Sequence, residues 1–249
     1  MPGIFILLHW VITIYLSITV MNTATRLLGA TILATSMSLM LGAPLATASS
    51  DQQLTVDRAQ LVIGDLRQDK EYGNARDLLH RARAVLIVPR LYKGGFFVGG
   101  EGGNGVLLTH KQAGGWSEPA FYAIGSASFG LQIGLERSEM VMFVMSQKAL
   151  DALMHDQFKI GEDAGLAVVT PGAGVEAGTT AAAGADIVVW ASSSGAYAGV
   201  SLNGSIVKRQ FDADRTHYGP GVTARDILFR AAVANPSASP LVRAMDRLG

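Results

Sequence analysis

Seven of the twelve residues from Gly94 to Gly105 are glycine, and they follow a β-branched run, VLIVP at 85–89. Such punctuation reads as short strands joined by tight turns. GGFFVGG at 94–100 and GVLLTH at 105–110 read as two strands, with a glycine turn around Glu101 to Asn104. Gly114-Gly115 supplies another turn, Pro119 demotes its surroundings to an edge or bulge, and MVMFVMS at 140–146 reads as a buried strand. The second half repeats this grammar. GLAVVT at 165–170, a weak strand from Val175 to Thr180 and ADIVVWAS at 185–192 precede a hairpin over 195–210 that turns at Asn203-Gly204.

Helices flank this stretch. Leu54, Leu61, Val62 and Leu66 recur near the helical period within residues 54–69, with Asp57, Arg58, Asp65 and Arg67 on other sides. A second helix is expected over 74–83, capped by Asn74, and a short one over 147–155. A last helix begins at Thr223, and the tail from Pro236 reads as loosely held. Helices grouped at the ends, without regular βαβ alternation, predict an α+β fold. It has a twisted antiparallel sheet that becomes barrel-like if it curls, N-terminal amphipathic helices, one short central helix and a C-terminal helix.

The N-terminus reads as export machinery. From Met21 there is one positive charge at Arg26, an apolar stretch LLGATILATSMSLML, a break at Pro44 and an Ala46-Thr47-Ala48 site suited to signal peptidase. Residues 21–48 are therefore expected to be a signal peptide. The apolar residues 1–20 are expected to be an upstream extension or an anchor, 49–234 a single domain and 235–249 a flexible tail. The expected location is periplasmic or secreted, peripheral to the inner or outer membrane.

Composition removes several kinds of chemistry. The absence of cysteine excludes disulfides, thiolate catalysis and cysteine-ligated zinc, and the five histidines are scattered, so no metal site is expected. Twenty Lys+Arg balance twenty Asp+Glu, which leaves no broad cationic footprint for nucleic acid. The glycine run lacks the Lys-Ser/Thr that completes a phosphate loop, and no serine stands in a Gly-x-Ser-x-Gly elbow. No residue set nominates catalysis, and no cofactor is implied.

An interaction surface remains. Arg58, Arg67, Lys70, Arg76, Arg81, Arg83, Arg90 and Lys93 crowd one stretch, interleaved with Asp65, Asp69, Glu71 and Asp77. Fourteen of the cations are arginine, suited to planar phosphate contact. Set beside the apolar side of the 54–69 helix, they suit an anionic membrane; the alternative is a core-packed helix with a solvated rim.

Three runs carry a family resemblance: Lys93 to Val106, Gly115-Trp116-Ser117-Glu118-Pro119-Ala120-Phe121, and Ser128-Phe129-Gly130-Leu131-Gln132-Ile133-Gly134. With Gly161-Glu162-Asp163-Ala164, Ser194 to Ser205 and Tyr218-Gly219 in the same order, the chain resembles the SYLF lipid-binding domain from about residue 58 to 231. That resemblance implies non-catalytic binding of phospholipid, phosphoinositide in eukaryotic members, and actin bundling in the yeast branch. An exported chain meets envelope lipids instead, so actin is set aside as a partner. The expected lipid-binding residues are Arg58, Arg67, Lys70, Arg81, Arg83 and Lys93, with the 54–69 helix inserting or adsorbing. The alternative is an envelope protein that acts by homo-oligomerisation or through a protein partner.

Overall fold

The apolar side chains of the first helix decide where it lies. Val56, Ala59, Val62, Ile63 and Leu66 recur every three or four residues and are all buried. They lie against Val85, Ile87, Val106, Leu108, Phe121 and Val141, which share one face of a β-sheet. The computed structural model describes residues 50–68, 72–95, 98–129, 134–169, 184–193, 202 and 204–248.

Within them the order is α1 (Asp51–Gln68), α2 (Tyr72–Arg81), β1 (Ala84–Gly95), β2 (Val98–Thr109), β3 (Ala120–Phe129) and β4 (Gly134–Val144). There follow α3 (Gln147–Leu153), β5 (Gln157–Lys159), β6 (Leu166–Val169), β7 (Ile187–Ser193), β8 (Ile206–Arg209), α4 (Phe211–Tyr218), α5 (Ala224–Leu228) and α6 (Ser239–Asp246).

The eight strands form one sheet in the order β5-β8-β3-β2-β1-β4-β7-β6. Alternating strand residues feed two cores. Leu86, Leu107, Tyr122, Met142, Val189 and Val207 point into the second core, which also takes Leu153 of α3 and Ile227 of α5. Strands as far apart in the order as β8 and β7 contribute to that core, so the sheet curls into a half-barrel and the α+β class holds.

Four expectations change. The pairing is antiparallel except between β6 and β7, which run parallel. Residues 170–186 between them are long enough for the crossover a parallel pair requires, and the weak strand expected from Val175 to Thr180 lies outside the described residues. The glycine run is the body of β2, not a turn. β1 shifts register between Ile87 and Arg90, and β2 passes so close that a Cβ on Gly103 would meet the Arg90 carbonyl and one on Gly105 the Ile87 carbonyl. The helix capped by Thr223 ends at Leu228. The expected loose tail is instead α6, with Leu241, Met245 and Leu248 buried beside α1. The hairpin expected over 195–210 is described only in its second arm, where β8 pairs with β3 and β5.

Candidate functional site

The motif from Trp116 to Phe121 leads into β3, and the chain holds it at each step. The Trp116 N–H donates to Asp246 Oδ1 at 2.9 Å, and Ser117 Oγ accepts the Thr109 N–H at 3.0 Å. The Tyr218 hydroxyl donates to the Pro119 carbonyl at 2.7 Å, and the Phe121 N–H donates to Asp214 Oδ1 at 2.9 Å. These bonds tie α4 and α6 to the start of β3. The motif's role is structural.

Burial sets the protonation of this clamp. Asp214 is 1% exposed, and loss of solvation pushes its carboxyl up to about 6 despite the Phe121 N–H and the nearby Arg209. Burial raises the Glu118 carboxyl, against the Asn235 N–H and Lys111, and lowers His217. The His217 ring packs edge-on against Phe121 and Tyr218, with centroids 5.2 and 4.7 Å away. No group of metal-ligating side chains forms among the described residues.

Five of the six cations expected to bind lipid lie among the described residues, on α1, α2, the lead into β1 and β1 itself. Arg58 is half-buried on α1, whereas Arg67 in its last turn is exposed. Arg81 ends α2, where a cation suits the helix dipole, and Arg83 follows it, its guanidinium donating to Gln147 Oε1 at 3.2 Å. Lys93 stands ten residues along β1 from Arg83, on the order of 30 Å at strand rise. It is in register with Glu101 on β2 and Glu136 on β4, opposite charges as cross-strand neighbours. Lys70 lies outside the described residues. Arg67, Arg81 and Arg83, joined by Arg76 on α2, are exposed. None of these four forms an ion pair among the described residues.

Insertion of α1 conflicts with its packing. Its four larger buried side chains, Val56, Val62, Ile63 and Leu66, each contribute about 1.5–3 kcal/mol in the core. Freeing them costs about as much as a whole domain's stability. Leu61, 65% exposed, is the large apolar side chain that α1 offers solvent. Among the described residues no helix is long and apolar enough to cross a membrane.

Sequence reasoning passed over Lys208 and Arg209, which the expected hairpin reduced to strand positions. The structure sets them beside Phe211 at a cleft that also reaches Gln52 of α1. The only local signal was the alternation of Ile206, Val207 and Lys208, which turns the first and third outward.

Comparison with known proteins identifies the family. Residues 125–248 match the Ysc84 family, described as "Las17-binding protein actin regulator". LAS seventeen-binding protein 3 of Saccharomyces cerevisiae is 31% identical over 173 residues, covering 68% of this chain and 38% of the yeast protein. Protein YSC84 of the same yeast is 30% identical over 172 residues, 68% of this chain and 36% of its own length. SH3 domain-containing YSC84-like protein 1 of Homo sapiens is 28% identical over 170 residues, 68% of this chain and 49% of that protein. The chain thus spans half or less of these relatives. The first of these is named a binding protein, and the family description includes actin, so setting actin aside on the ground of export is not supported. These matches place the chain in the SYLF/Ysc84 family.

Proposed function

We propose that this domain binds anionic phospholipid at a membrane surface without catalysing a reaction, as an exported, periplasmic or secreted protein. The observation that carries this reading is the set of exposed arginines on α1, α2 and the lead into β1. Arg67, Arg76, Arg81 and Arg83 form no ion pair among the described residues, and guanidinium groups bind phosphate in bidentate fashion. The contact is adsorption by these cations, because the apolar side of α1 is committed to the core. Each cation near an anionic surface adds about 1 kcal/mol, reduced by salt.

The test is vesicle co-sedimentation of the triple variant Arg67→Gln, Arg81→Gln, Arg83→Gln. Binding to vesicles containing phosphatidylglycerol falls at least tenfold and its salt dependence flattens. Unchanged binding by a folded triple variant rejects this surface.

The names of the relatives favour a second reading, a protein partner of the Las17 or actin kind. It predicts co-sedimentation with actin filaments, or capture of Las17, by a protein that ignores vesicles.

A further inference from the structure

The start of α4 meets the outer face of β8 at a cleft of about 490 Å³, within the size range of small-ligand sites. Lys208, Arg209, Phe211, Asp212, Thr216 and Gln52 of α1 line it. Its electrostatics favour an anion. Lys208 is exposed and forms no ion pair among the described residues. The Arg209 guanidinium lies 4.5 Å over the Phe211 ring and donates from Nη1 to the Met154 carbonyl at 3.1 Å. Its Nε–H is buried with no acceptor among the described residues. Asp212, the carboxylate lining the cleft, is engaged by Arg215 at 3.4 Å.

The rim distinguishes the source of that anion. Ile206 and Phe211 are each 37% exposed, two of the five large apolar side chains that the described residues present to solvent. Ile206 and Lys208 stand two apart on β8 and face the same way. Phe211 in the lining of a cationic recess, with Ile206 beside Lys208 on the same outward face of β8, fits a phosphate still attached to lipid, with acyl chains beside the recess. A free phosphate makes no use of them.

We infer that the cleft between β8, the start of α4 and Gln52 holds the phosphate headgroup of an anionic lipid, with Lys208 as its charge partner and Ile206 and Phe211 against the lipid's apolar part. This rests on the phospholipid reading above and gives it a specific site, away from the arginines of α2.

The test compares the purified protein with Lys208→Gln, Phe211→Ala and, as control, Lys148→Gln at an exposed position of α3 outside both cationic surfaces. Vesicles of phosphatidylcholine, with and without phosphatidylglycerol, are the lipid probe, and inorganic phosphate followed by amide NMR is the free-anion probe. Expected is an approximately fivefold weakening for Lys208→Gln, the share of one cation at an anionic surface. A comparable loss is expected for Phe211→Ala, with a smaller one for Lys148→Gln. Amide shifts produced by phosphatidylglycerol vesicles fall at 208–216, and inorganic phosphate leaves them unmoved. Wild-type binding that both folded cleft variants retain overturns the cleft and leaves phospholipid binding standing. Wild-type protein that binds no vesicle overturns both. Shifts at 208–216 with inorganic phosphate alone overturn the lipid source.

Discussion

Asp214 of α4 holds the main-chain N–H of Phe121 in β3 with Oδ1 at 2.9 Å, from a position 1% exposed. A buried carboxylate in that place couples the packing of α4 to pH. Its folded pKa of about 6 lies above the ordinary carboxylate value. The stability it contributes is therefore fully present below about pH 4 and lost as pH rises through 6. Two units correspond to about 3 kcal/mol at neutral pH, an upper figure because Arg209 lies nearby. Asp214→Asn keeps an acceptor for Phe121 and removes the charge. Urea unfolding is expected to show the variant at least as stable as wild type at pH 7.5, with a smaller gain between pH 7 and 5. Equal pH dependence in the two proteins contradicts the account.

The close approach of β2 to β1 gives a second expectation. Gly103→Ala and Gly105→Ala each set a Cβ against a main-chain carbonyl of β1 and within 2.9 Å of a Val88 methyl. Each substitution destabilises by about 1–3 kcal/mol or more, because backbone has to move. Gly64→Ala in α1 is the contrast, with nothing within 4 Å of its added Cβ. It stabilises by up to about 1 kcal/mol through helix propensity. Thermal unfolding of the three variants tests both signs.

Removal of residues 237–249 distinguishes a docked helix from a tail. Leu241, Met245 and Leu248 are at most 2% exposed, and Asp246 holds the Trp116 N–H. Truncation uncovers the apolar side of α1 and is expected to abolish cooperative unfolding or to lower the midpoint by 10 °C or more, about 2.5–5 kcal/mol in a domain of this size. An unchanged midpoint contradicts the docked helix.

The long periodic elements were legible in the sequence. α1, read as 54–69, runs Asp51–Gln68, and of MVMFVMS the first five residues, Met140 to Val144, form the buried end of β4. Glycine misled because it marks both turns and close backbone approach, and only the partner strand separates the two. The tail misled because Pro236, Pro240 and two serines describe local preference, whereas burial of Leu241 and Met245 decides the outcome. The candidate site was half legible. Closeness in sequence joined Arg83 to Lys93, and the rise of β1 separates them, while Lys208 and Arg209 reach their cleft through pairing of β8 with β3, which local pattern does not encode.

Co-sedimentation of the purified protein with phosphatidylcholine vesicles, with and without phosphatidylglycerol, across a salt series tests the central claim most directly. The account predicts binding to the anionic vesicles alone, fading as salt screens the arginine and lysine contacts. Absence of binding at low salt, or equal binding to neutral vesicles, contradicts it.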